Sequence, residues 1–75
     1  MALPTLVEDG FAEAYHASQE FNAAARKGLA GVAREWAVHA YNAIAATRIH
    51  CETDEDRAIV DNALASLRER FAPKR

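Results

Sequence analysis

The sequence predicts an all-α protein: a small three-helix antiparallel bundle made of a helix hairpin and a third helix. Apolar residues recur at intervals of three and four along three stretches of the chain. Alanine, the strongest helix former, supplies 18 of the 38 hydrophobic residues. No stretch has the alternating pattern of a half-buried β-strand. We expect one domain over residues 1–75, with helices at about 5–27, 29–50 and 54–71.

The first helix is predicted from a seam of apolar and small residues on one helical face. The members of this seam are Val7, Phe11, Ala14, Ser18, Phe21, Ala25 and Gly28. Two starts are compatible with the sequence. Thr5 and Glu8 have the spacing of a capping box, whereas Asp9 could serve as the N-cap just before Gly10.

Two glycines, Gly28 and Gly31, mark the boundary between the first and second helices. Arg26 and Lys27 precede Gly28, and basic residues followed by glycine are typical of a helix C-terminus. Glycines at this spacing fit either a tight turn or a kink within one longer helix. We favour the tight turn, and such a short connection makes the two helices antiparallel.

The second helix is apolar over most of its circumference. One face carries Leu29, Val32, Ala33, Trp36, Ala40, Ala43, Ile44, Thr47 and Cys51. A second apolar line runs along the opposite side, while each flanking helix offers only one seam. One apolar face of the second helix should therefore remain for a partner, and aromatic residues are enriched at binding hot spots. The candidate partner or dimer interface is Val38, Tyr41, Ala45 and Ile49, together with Trp36.

The third helix has the clearest start in the sequence. Thr53 is a candidate N-cap with Asp56 at the N3 position, and the acidic first turn complements the helix dipole. Pro73 marks its end. The predicted seam consists of Val60, Leu64, Leu67 and Phe71, flanked by Ile59 and Ala63.

Composition excludes several classes of protein. The formal net charge of −2 does not favour binding to nucleic acid or to an anionic membrane. The single cysteine permits no intramolecular disulfide, and we find no secretory signal or membrane-spanning stretch. A cytoplasmic protein is therefore expected. Only 20 hydrophobic residues are larger than alanine, so the core should be thin and completed by a second copy or a partner.

Enzymatic activity is not expected, because no catalytic constellation is present. Cys51 adjoins His50, but neighbouring residues on a helix point about 100° apart, and Cys51 falls on the apolar face. Glu13 and His16 match one Glu-x-x-His unit of a di-iron bundle, with Glu20 four residues further on. A dimer would be needed to double this unit. A metal-binding helical protein is therefore kept as a second alternative, and no cofactor is expected.

The leading hypothesis is a small non-enzymatic regulator or inhibitor that binds another protein through helical surfaces, as a homodimer built on the second helix. The first alternative is a nucleic-acid-binding regulator. It would use the basic C-terminal residues Arg68, Arg70, Lys74 and Arg75. The acidic start of the third helix would repel the phosphate backbone, which makes this alternative the weaker one.

Overall fold

The computed structural model describes residues 3–71, which form three α-helices packed together. They are α1 (Thr5–Arg26), α2 (Ala30–Ala45) and α3 (Asp54–Phe71). A short 3-10 helix, Arg48–His50, lies between α2 and α3. Within residues 3–71 there is no β-strand, so the predicted all-helical fold is confirmed. The position of Pro73 lies outside the described residues.

α1 begins at Thr5 without a side-chain cap. Pro4 is the N-cap residue, and its carbonyl accepts hydrogen bonds from the backbone N–H groups of Val7 and Glu8 at 2.9 and 3.0 Å. The predicted capping box of Thr5 with Glu8 is therefore wrong. The alternative start at Asp9 is wrong as well, since Asp9 lies inside the helix.

The connection between α1 and α2 is a tight turn. Gly28 adopts a φ of +75°, a left-handed conformation that glycine accepts without steric cost. The N–H of Leu29 donates to the carbonyl of Ala24 at 2.9 Å, and that of Gly28 donates to Ala25 at 3.1 Å. This pair of bonds is the Schellman motif. Gly28 is therefore the C′ residue that the sequence predicts, and the kinked single helix is excluded.

Small side chains form much of the contact between α1 and α2. The buried core consists of Val7, Ala14, Ala17, Ala40, Ile44 and Val60. Of the predicted seam of α1, Val7 and Ala14 are buried, whereas Ala25 and Gly28 are exposed. Gly10, Ala17 and Ala24 are buried instead. The buried face of α1 is thus turned toward its smallest residues, where the helix backbones approach most closely.

α2 ends at Ala45, five residues before the predicted end at His50. Thr47, which is 3% exposed, follows the helix, and its hydroxyl donates to the carbonyl of Ile44 at 2.6 Å. Cys51 lies beyond the 3-10 helix, half-buried against the core, with Sγ 3.7 Å from the Thr47 carbonyl oxygen. The predicted second helix is therefore too long, because a change of chain direction before α3 replaces its last turn.

α3 begins at Asp54, as the sequence predicts, and its described part runs to Phe71. The N–H of Asp56 donates to Oγ1 of Thr53 at 3.0 Å, which confirms Thr53 as the N-cap. Val60 is buried, and the other members of the predicted seam pack half-buried against the core. Arg48 pairs with Asp61 through two hydrogen bonds of 2.8 and 3.2 Å, which connect the 3-10 helix to α3.

Candidate functional site

A groove lies between the three helices, near the turn that joins α1 to α2. Arg68 of α3 contacts Tyr41 of α2, and the two helices run in opposite directions. Phe71, the last described residue of α3, therefore lies beside the middle of α2. The N-terminal half of α2 contributes Ala30, Ala33, Arg34 and Ala37 to the lining of the groove.

The groove is mainly apolar, and its volume is about 840 Å³. Alanine and glycine contribute much of its surface, which lets another backbone approach closely. The lining residues are Phe21, Ala25, Gly28, Ala30, Ala33, Arg34, Ala37, Val38, Tyr41, Asn42, Leu67, Arg68 and Phe71. A surface of this size and composition is suited to an apolar ligand or to a partner side chain.

Aromatic packing holds one end of the groove together. The rings of Phe21 and Phe71 lie 4.6 Å apart between centroids, with their planes tilted by 51°. Such tilted pairs stabilise a contact beyond the area that they bury. Nearby, Arg70 donates a hydrogen bond of 3.1 Å to the side-chain oxygen of Asn22. These contacts join the end of α3 to α1 and fix the width of the groove.

The charged residues that line the groove are both arginines, Arg34 and Arg68. Arg68 donates a hydrogen bond of 2.8 Å to the Tyr41 hydroxyl, and its guanidinium carbon lies 5.8 Å from the centre of the Tyr41 ring. Within residues 3–71 neither arginine forms an ion pair with a carboxylate. The rim of the groove therefore has two positive charges without a bound counter-charge from the described chain.

The candidate interface residues do not converge on one surface. Val38 (53% exposed) and Tyr41 both line the groove. Ala45 is half-buried outside the lining, and Ile49 is 85% exposed on the 3-10 helix instead of α2. Trp36 lies in a different shallow depression. The groove is thus lined by two of the five candidate residues, together with residues of α1 and α3 that were expected in the core.

Sequence reasoning missed several residues of the groove, notably Phe21, Leu67 and Phe71. Their helical spacing predicts burial, and each is half-buried. Apolar periodicity locates the inner face of a helix, but it does not show which part of that face borders a groove. The feature of the sequence that pointed to this groove was the surplus apolar surface predicted on the second helix.

Trp36 lies between two histidines on the other side of α2. Its ring makes edge-to-face contacts with His16 and His39, at centroid distances of 6.0 and 5.8 Å. Nε2 of His39 is 3.3 Å from a carboxylate oxygen of Glu13. Glu13 on α1 thus contacts His39 on α2. Over residues 3–71, no three metal-binding side chains are grouped closely enough to hold an ion, which gives no support to a site at Glu13, His16 and Glu20.

Charge is distributed unevenly along the 40 Å axis of the molecule. The end with the starts of α1 and α3 carries Glu8, Asp9, Glu52, Asp54, Glu55, Asp56 and Asp61. Its two arginines, Arg48 and Arg57, are each paired with an aspartate. The end with the groove carries Arg26, Lys27, Arg34, Arg68 and Arg70. Glu20, Glu35 and Glu69 also lie toward this end, but they do not line the groove.

Comparison with known proteins gave no match among protein-family profiles, curated proteins or solved structures. No helix in residues 3–71 has the length and apolar character needed to cross a membrane. Lys74 and Arg75, on which the nucleic-acid alternative partly depends, lie outside the described residues. Arg68 and Arg70 are hydrogen-bonded to Tyr41 and Asn22. The groove is therefore the feature from which a function can be inferred.

Proposed function

We propose that this chain is a small non-enzymatic regulator or inhibitor that binds another protein through the groove between its three helices. The observation that carries the proposal is the apolar lining of this groove, to which all three helices contribute. Val38 is the clearest indicator, because an aliphatic side chain is half-exposed at the edge of this surface. Exposed apolar residues that form a continuous patch commonly mark a binding surface.

An amphipathic helix is the partner element that suits this surface. The groove is open along one side and is bounded by helices, and helices commonly dock into grooves of this kind through residues spaced three and four apart. The small side chains of Ala33 and Ala37 allow a close approach of the partner. Phe21, Leu67 and Phe71 provide larger apolar contacts. Binding there would occlude the partner's helix, which is how a small protein can inhibit a larger one.

Self-association is the second form of this proposal. The expected homodimer would use the same surface of α2, with Val38 and Tyr41 of each copy at the interface. A cytoplasmic setting, in which the single thiol of Cys51 stays reduced, is part of the same proposal. Analytical ultracentrifugation over a range of protein concentrations measures this directly. A dimer that dissociates in the Val38→Asp variant is the expected sign of self-association.

Affinity capture with matched variants tests binding to another protein. Val38→Asp places a charge in the groove, whereas Val32→Asp places one at a 43%-exposed position in the depression beside Trp36. A partner bound in the groove should be retained by the wild-type protein and by Val32→Asp. Its recovery on Val38→Asp should fall at least about tenfold, equivalent to about 1.4 kcal/mol.

The design separates docking from nonspecific adhesion and from unfolding. Both substitutions are on α2, both replace an exposed valine, and circular dichroism should show the same helix content in the two variants. Identical capture profiles from all three proteins would contradict the proposal. Loss of the partner from Val32→Asp alone would move the interface to the Trp36 side of α2.

A further inference from the structure

The charges around the groove define the kind of partner it fits. Its lining combines apolar side chains with two arginines and no carboxylate. Arg26, Lys27 and Arg70 lie at the same end of the molecule but do not line the groove. A bound segment would bring its own flanking residues close to Arg34 and Arg68. Complementary charge at these positions would favour association, whereas positive residues there would be repelled.

We propose that the occupant of the groove is an amphipathic helix of a different protein, with acidic residues on both sides of its apolar face. This inference rests on the proposed function and specifies the chemistry of its partner. The apolar face of that helix packs against Phe21, Leu67 and Phe71. Its carboxylates pair with Arg34 on α2 and with Arg68 on α3, on either side of the groove.

A second copy of the chain is the less favourable occupant. In a two-fold symmetric dimer the same patch is used by both subunits. Pairing groove to groove would therefore bring two arginines from each copy into one interface, with no carboxylate in the lining to pair with them. Like charges brought together at an interface oppose association. An acidic helix from another protein neutralises these charges instead.

Two synthetic peptides test the chemistry of the occupant. Each is about four helical turns long, roughly 15 residues, with leucines at positions spaced three and four apart. One peptide carries glutamates beside the leucine face, and the other carries lysines at the same positions. Both are labelled with fluorescein, and binding to the full chain is followed by fluorescence anisotropy. The acidic peptide should bind at least about tenfold more tightly than the basic one at about 0.15 M salt, and the preference should shrink as salt is added.

Arg34→Glu and Lys27→Glu form the matched pair of variants. They change net charge equally and at the same end of the molecule, but only Arg34 lines the groove. Arg34→Glu should weaken binding of the acidic peptide at least about tenfold and should strengthen binding of the basic peptide. Lys27→Glu should change either affinity less than about twofold, because Lys27 does not line the groove and its exposed charge is screened at about 0.15 M salt.

The possible outcomes test the acidic-partner inference separately from the proposed function. Equal affinity for both peptides would overturn the acidic-partner inference while supporting apolar docking in the groove. No binding of either peptide would also overturn the inference, and the capture experiment with Val38→Asp would still decide the proposed function. A wild-type dimer that becomes monomeric in Val38→Asp would assign the groove to a second copy.

Discussion

Gly10 and Gly31 both lie within helices, but only Gly10 is packed closely against another part of the chain. A Cβ atom on Gly10 would overlap Cγ2 of Thr47 and lie 2.9 Å from the carbonyl oxygen of Ala43. At Gly31 a Cβ atom would meet no atom within 4 Å. Glycine is therefore required at the first position by the close approach of α1 to the end of α2.

Replacing each glycine with alanine should change stability in opposite directions. Gly31→Ala should raise the free energy of unfolding by up to about 1 kcal/mol, because alanine is the better helix former. Gly10→Ala should lower it by about 1–3 kcal/mol, since the overlap with Thr47 outweighs the gain in propensity. Urea unfolding followed by circular dichroism measures both. Stabilisation by Gly10→Ala would show that α1 does not approach Thr47 so closely.

The ion pair between Arg48 and Asp61 contributes to stability in a way that depends on pH. The hydrogen bond from Arg48 lowers the pKa of Asp61 below its ordinary value, and the same pairing raises the pKa of Arg48. Folding thus favours the charged form of Asp61. Its contribution to stability is fully present above the unfolded-state pKa of about 3.9 and is lost as the pH falls through the lower folded-state value.

Asp61→Asn should reveal this contribution. The wild-type protein should be more stable than the variant at about pH 7, and the difference should vanish near pH 2, below the ordinary aspartate pKa of about 3.9. Both side chains are about half-exposed, so the difference at neutral pH should be small. Urea midpoints of the two proteins across this range provide the measurement. A difference that does not change with pH would contradict the role of the ion pair.

At the level of the individual helix, the starts of α1 and α3 differ in how they are capped. Thr53 caps α3 through its hydroxyl, whereas Thr5 at the start of α1 makes no capping bond. The two threonines look similar in the sequence because each is followed three residues later by an acidic residue. Pro4 accounts for the difference, since it takes the N-cap position and places Thr5 inside the helix.

Thr53→Ala and Thr5→Ala should therefore differ in their effect. Loss of the cap at Thr53 should lower the free energy of unfolding by about 1 kcal/mol. Thr5→Ala should change it by less than about 0.5 kcal/mol, as expected for an exposed position with no specific contact. Thermal and urea unfolding of both variants would show the difference. Equal losses would mean that Thr5 caps α1 after all.

At the scale of the whole molecule, the groove and a cluster of positive charge lie at the same end. The lining of the groove combines alanines of α1 and α2 with Arg34 and Arg68. Seven of the eleven acidic residues lie toward the opposite end. Apolar surface and positive charge therefore occur together in one place, which is why the capture and peptide experiments concentrate on Val38 and Arg34.

The sequence alone predicts three helices in the described part of the chain, the turn at Gly28 and the start of α3. These features depend on local signals: apolar periodicity, the left-handed preference of glycine and the Thr53 cap. Packing between helices sets where α2 ends, why residue 10 is glycine and where the groove lies. Each of these depends on the distance between helices, to which residues far apart in the chain contribute. Alanine made this part hard to predict, because a small residue is equally common where helices touch and where they face open space.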